Sequence, residues 1–310
     1  DIAIVLNAYP IHAEQFESVV ESPVTEKKIT QAIAREKVKL VTHNPRCKIV
    51  IYNKDNESIT QFLDEVDIDT FIFGDSPENH VSYVDYDVSI DKSVFTYKVG
   101  SRRSLKIEIK GYVLPTVYRE VIAAAILVGQ YIGMDLDSIK ASLEKNLTIE
   151  PGRSTILSGQ KGSIIIDSSY NASRTSVLAL LETAKTLKAL TSRPLVFVFG
   201  DMRELGKGSE REHAYVVEKL SGLVDYLYTV GPLTQKYVYK PLHKKRSFKE
   251  VKAFDGPREA GKYLKAHMPE EALLLFKGSQ NTIFLEEAIK YVLADISDSE
   301  KLPRQEDYWM

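Results

Sequence analysis

The stretch SIIIDSSYNASRTSVLALLETA, from Ser163 to Ala184, decides the fold. Its apolar start reads as a strand covered on both faces, DSSYN as a polar turn and the remainder as a helix. The run FGDMRELGKGSEREH, from Phe199 to His213, repeats that grammar around an acidic turn bounded by glycine. Working outward, PLVFVFGD, DYLYTVG, VKAFDG and ALLLFKG are further apolar strands, each followed by a helical segment. This alternation predicts a doubly wound, Rossmann-like, mostly parallel α/β domain. Ligand-binding turns are expected at the carboxyl ends of its strands, in DSSYN, GDMREL, VGP and KGSQN.

Upstream, IEPGR at Ile149–Arg153 has the punctuation of a linker and divides the chain into domains 1–150 and 151–310. The first domain opens on the strand IAIVLN. A helix over Thr25–Lys37, the strand KIVIYN, the helix SITQFLDEV and the strand TFIFG follow. Alternating strands come next at Val81–Ile90, Ser93–Val99 and Leu105–Gly111, then helices at Pro115–Met134 and Asp137–Asn146. The tail from Asp295 is polar and predicts poor packing except at Trp309.

The chain's 310 residues suffice for two hydrophobic cores. A net charge of −2 makes no case for nucleic acid or a membrane surface as partner. The single cysteine, Cys47, excludes an internal disulfide and suits a reducing cytoplasm. No apolar run approaches the ~20 residues that span a bilayer. The opening in mid-strand reads as a chain lacking an upstream segment, which predicts an exposed strand edge or apolar face in the first domain.

The two turns together resemble the bacterial Mur ligases, in the branch that adds D-alanyl-D-alanine. That family carries a D-[DS]-x-Y-N-A-[NS] turn and then a G-D-M-x-E-L-G turn in the same order. The family usually has two adjacent acids and a later proline at the first turn; this chain has Ser168 and Arg174 there. The resemblance implies a truncated Mur ligase central (ATPase) domain followed by the Rossmann-like C-terminal domain. It also implies that Asp167, Tyr170 and Asn171 face the nucleotide, with Asn171 helping to place an acyl phosphate. Read without the family, DSSYN is an N-capped helix turn. Arg153 is implied to reach the phosphates or ribose of ATP, a task suited to a guanidinium fork; alone it is a solvated linker arginine.

By the same resemblance, NAYPIHAEQFESVV makes His12 a ligand of Mg2+, an ion that ordinarily prefers oxygen. Lys27 falls where the family carbamylates a lysine, if one residue is inserted after Phe16; without the insertion Glu26 falls there. The plain alternatives are a surface histidine and a charged helix face. The metal assignment requires His12 and Lys27 to share a cavity with Arg153. Lys27 and Asn171 are thus the candidates for a catalytic role. GYVLPTVYREVIAAA, from Gly111, stands where the family reads adenine with two asparagines and has neither; Tyr118 can stack on a base or pack in a core. In ALLLFKGSQN, Lys277 and Ser279 are implied to take the carboxylate of the incoming amine substrate, aided by the next helix N-terminus. Such a turn also occurs with no ligand.

No phosphate-cradling loop of the form G-x-x-x-x-G-K-[ST] is found; the nearest match, Gly200 to Gly208, has the wrong spacing and no hydroxyl after Lys207. The implied activity is ATP-dependent amide-bond formation between UDP-N-acetylmuramoyl-tripeptide and D-alanyl-D-alanine, by a chain inactive alone unless a partner chain supplies the loop. The alternatives are a non-catalytic binding or regulatory relative, and a folyl-polyglutamate-type ligase, against which GDMRELG argues.

Overall fold

The computed structural model describes residues 1–11, 13–101, 103–280 and 283–305. They form two compact units. The first comprises Asp1–Asp87, Ser93–Lys110 and Thr116–Leu147; the second comprises Val88–Lys92, Gly111–Pro115 and the chain from Thr148 onward.

The first unit is built on β1 (Ile2–Val5), α1 (Ala13–Phe16), α2 (Glu26–Thr42), β2 (Ile49–Asn53), α3 (Glu57–Leu63) and β3 (Asp69–Gly74). It continues with β4 (Val81–Val88), β5 (Lys92–Val99), β6 (Arg103–Lys110), α4 (Tyr118–Tyr131) and α5 (Leu136–Asn146). One sheet runs in the order β1-β2-β3-β4-β5-β6, and β1 through β4 pair in parallel. The short links from β4 to β5 and from β5 to β6 permit only hairpins, so the far half of the sheet is antiparallel. Thr25 caps α2 by accepting from the Lys28 backbone, and Ile29, Ile33, Val38 and Val41 turn one face of that helix inward. They pack on Ala3, Val5, Val50 and Tyr52 of the parallel strands. β1 lies at the edge, its alternate residues Ile2 and Ile4 exposed, as the sequence predicts.

The second unit contains β7 (Thr155–Ser158), β8 (Ile164–Ser168), α6 (Arg174–Thr191), β9 (Leu195–Gly200), α7 (Ser209–Leu220) and β10 (Tyr226–Val230). After them come α8 (Pro232–Thr234), α9 (Lys240–Leu242), β11 (Glu250–Phe254), α10 (Pro257–His267), β12 (Leu273–Lys277) and α11 (Glu286–Ile289). Its sheet order is β11-β10-β9-β12-β8-β7. All pairings are parallel except β7 against β8. The chain steps outward from β9 to β11, and β12 then returns to lie between β9 and β8. Every residue of β9 and β12 is buried, because helices cover both faces. The predicted α/β architecture is therefore present in both halves.

The tail corrects one expectation. Leu302 is buried in the core of the second unit and Arg304 is almost as buried. Trp309 lies outside the described residues. Among the described residues, no helix is long and apolar enough to cross a membrane.

Candidate functional site

The register of the second sheet brings three turns to one level. Lys277, the last residue of β12, stands beside Ser168 at the end of β8 and beside Phe199 near the end of β9. The turn Asp167–Asn171 therefore lies next to KGS and to GDM, where parallel sheets bind ligands. Ser173 caps the following helix α6 in a reciprocal box with Ser176, fixing the chain's exit from the turn.

Asp167 is fully buried. Its Oδ1 accepts from the Ser169 backbone at 2.9 Å. Its Oδ2, and the Ser169 hydroxyl, have no hydrogen-bond partner among the described residues. Burial pushes the Asp167 carboxyl up to about 6, against the hydrogen bond from Ser169, with Glu286 raising it further and Arg304 opposing. Tyr170 is half-buried and Asn171 exposed. The exposed Arg153 lays its guanidinium 4.5 Å from the centre of the Tyr170 ring.

Lys277 is 6% exposed. Its Nζ donates to the Asn171 carbonyl at 2.6 Å and to the Ser168 hydroxyl at 3.4 Å. Burial pushes the ammonium down to about 7, helped by the charge of Arg153 and opposed by Asp167. Ser279 is also buried: its Oγ donates to the Ala172 carbonyl at 3.2 Å and accepts from the Arg203 backbone at 3.0 Å. The helix expected to aid these two residues begins only at Glu286 and has four residues. Asp201, the acid of the second turn, is engaged in capping α8. It accepts from the backbones of Leu233 and Thr234 at 3.1 and 2.7 Å and from the Thr234 hydroxyl at 3.0 Å.

The sequence reading missed the support beneath this turn. Arg304 forms a buried ion pair with Glu286, with its Nε 2.6 Å from Oε1. The same guanidinium donates to the carbonyls of Ser169 at 3.3 Å and Tyr170 at 3.4 Å. Pro303 packs on Gly152, where φ is +74° and an added Cβ would lie 2.8 Å from the proline ring. Only glycine meets both demands there. The one hint in the sequence is a leucine and an arginine inside a polar tail.

The first unit holds a second polar cluster at the carboxyl ends of β1 and β2. Asn7 donates to the buried Glu120 at 2.7 Å, and Lys37 donates to the Asn7 carbonyl at 2.7 Å. Burial pushes the Glu120 carboxyl up and the Lys37 ammonium down. The same burial, with Glu120 adding to it, pushes the Tyr9 hydroxyl up to about 12. Tyr118 is the partly buried first residue of α4. Lys27 is exposed in the first turn of α2, and His12 lies outside the described residues. Lys27 and Arg153 belong to different units. Among the described residues no group of three or more His, Cys, Asp or Glu side chains is placed to hold a metal. The structure thus gathers Arg153, Asp167, Tyr170, Asn171, Lys277 and Ser279 in one unit and leaves Lys27 in the other.

Residues 152–280 match the family described as Mur ligase, glutamate ligase domain. The chain is 36% identical over 123 residues to the UDP-N-acetylmuramoyl-tripeptide–D-alanyl-D-alanine ligase of Escherichia coli K12, covering 38% of this chain and 26% of that protein. It is 26% identical over 274 residues to the ligase of the same name from Bacillus subtilis 168, covering 88% of this chain and 57% of that one. Among solved structures, the MurF ligase of Thermotoga maritima in complex with ADP superposes with a TM-score of 0.74 at 20% identity, covering 97% of this chain and 62% of that one. The chain thus spans less than two thirds of the length of each of these relatives. It resembles the Mur ligases of the D-alanyl-D-alanine-adding type over most of its length, and residues 152–280 match their glutamate ligase domain.

Proposed function

We propose that the chain is part of an ATP-dependent amide-bond ligase of peptidoglycan precursor synthesis, and that the turn Asp167–Asn171 is its nucleotide-facing element. The observation that carries this reading is the turn itself: a buried Asp167 at the end of a parallel strand, rigidly held, with the exposed Arg153 stacked on Tyr170 beside it. Exposed arginine beside an aromatic ring supplies charge and a flat surface for a nucleoside phosphate.

In the proposed reaction, a carboxylate oxygen of UDP-N-acetylmuramoyl-tripeptide attacks the γ-phosphorus of ATP, and ADP leaves. The amine of D-alanyl-D-alanine then adds to the acyl carbon. The tetrahedral adduct loses phosphate and a proton to give the amide. Arg153 balances charge on the phosphates, and Asp167 and Asn171 orient the nucleotide. Magnesium would neutralise phosphate charge, with His12 and Lys27 as the residues that the resemblance assigns to it. The described residues alone do not build such a metal site, and no step is placed on it. The relatives are longer than this chain, so the phosphate-cradling loop is assigned to residues outside these 310, on a longer form of the protein or a partner chain.

Calorimetric titration with Mg-ATP tests the reading. Binding that weakens at least tenfold in Arg153→Ala, with the fold intact by circular dichroism, supports it. A folded wild-type chain that binds no nucleotide overturns it. That outcome favours a non-catalytic precursor-binding relative, a reading that Ser168 in place of the second acid and Glu120 in the helix of the missing asparagines also favour.

A further inference from the structure

We propose that Lys277 and Ser279 are positioning residues that clamp the entry to α6 and so hold the Asp167–Asn171 turn in its binding shape, instead of contacting a substrate carboxylate. The proposal rests on the reading of that turn as the nucleotide-facing element. Its basis is geometric. The Lys277 ammonium and the Ser279 hydroxyl hold consecutive carbonyls, those of Asn171 and Ala172, at 2.6 and 3.2 Å. Asn171 and Ala172 immediately precede Ser173, the cap of α6, so both donors act on the last residues before the helix. Neither side chain has an exposed face to offer, since Lys277 is 6% exposed and Ser279 3%.

An ammonium carries three donors and no acceptor, so a buried lysine is stable only where oxygens surround it. Here those oxygens belong to the turn: the Asn171 carbonyl and the Ser168 hydroxyl. Ser279 extends the clamp sideways. By accepting from the Arg203 backbone, its hydroxyl links the turn after β8 to the turn after β9. The two turns that define the sequence signature are therefore joined through a third strand. The charged groups around Lys277 are Asp167 on β8 and Arg153 ahead of β7, with opposite effects on its proton.

Hydrogen exchange of the intact chain, compared between wild type, Lys277→Met and Ser279→Ala, tests the clamp directly. In Lys277→Met, amides at 171–176 are expected to exchange about tenfold faster, and those of β10 to keep their wild-type rates. Nucleotide affinity is expected to fall about tenfold in parallel. In the wild type, affinity is expected to weaken as pH rises through neutrality and Lys277 loses its proton; this slope disappears in Lys277→Met. Unchanged exchange at 171–176 in a folded Lys277→Met overturns the proposal. If that variant does not fold, Ser279→Ala carries the test through the Arg203 amide, which donates to the Ser279 hydroxyl, and wild-type exchange there overturns it. A wild-type chain that binds no nucleotide would sink the functional reading alone, because the exchange experiment needs no ligand.

Discussion

Glu120 shows what burial does to a single carboxylate. It is 8% exposed and accepts from Asn7 at 2.7 Å. Burial, more than any neighbour, raises its pKa above the ordinary 4.5, while Asn7 and Arg119 oppose the rise. Above pH 4.5 the folded state therefore holds a proton that the unfolded state has released, and stability drops as pH climbs from there to the raised value. Glu120→Gln keeps the acceptor for Asn7 and removes the titration. Its urea midpoint is expected to exceed that of the wild type near neutrality, by ~1 kcal/mol, and to match or fall below it at pH 4. A difference between the two proteins that does not vary with pH would refute this account. The sequence shows Glu120 only as one charge in YREVIAAA; its burial depends on where Asn7 and α4 meet, which no local pattern encodes. The place of Asp167, Tyr170 and Asn171 at a strand-to-helix turn was legible, because they adjoin strand and helix signals. The burial of Lys277 was not, since nothing in KGS shows whether the ammonium points outward or back along its own sheet.

At the scale of elements, the pairing of α10 with α11 sets two known effects against each other. Gly261 sits inside α10, where replacing glycine by alanine ordinarily gains about 1 kcal/mol. Here an added Cβ would lie 2.8 Å from the Ala288 carbonyl oxygen and 2.6 Å from the Tyr291 ring. The ring can move but the backbone of α11 cannot, and overpacking costs about 1–3 kcal/mol. Gly261→Ala is therefore expected to lower stability by roughly 1 kcal/mol net, read from the denaturant midpoint at constant m-value. A higher midpoint would mean that α11 shifts freely. Most elements were legible: every strand of the second unit except β7 follows from an apolar run bounded by turn residues. β7 escapes because TILS is short and pairs antiparallel at the edge, with only Leu157 fully buried. The helices after β10 escape differently. PLTQKYVYKPLH divides into short pieces, with a π-helical turn at Gln235–Tyr239 between α8 and α9. A second proline, Pro241, lacks the N–H that a continuous helix needs.

At the scale of the whole molecule, each unit has its own sheet and its own core. The first sheet is the vulnerable one. Its edge strand β1 exposes Ile2 at 36% and Ile4 at 42%, on a backbone with hydrogen-bonding groups on its outer side. Ile4→Lys places a charge on that edge without disturbing the buried Ala3 and Val5. The variant is expected to stay monomeric at concentrations where the wild type self-associates, with a thermal midpoint within a few degrees of it. Light scattering across a concentration series checks this, and equal association of the two proteins would show that β1 is not the sticky surface.

The Arg304 anchor also imposes an order of events. The carbonyls it holds at Ser169 and Tyr170 emerge from the ribosome long before it does, since Arg304 lies 134 positions after Tyr170. Strands β8 through β12 can pair while the chain is still being made, but the turn between β8 and α6 waits for almost the last residues described. A chain halted after α11 would carry the whole second sheet and leave those two carbonyls and Glu286 without their guanidinium. The support of that turn thus rests on a residue 134 positions downstream of the Tyr170 carbonyl it holds, so its last brace is laid only after the sheet above it is complete.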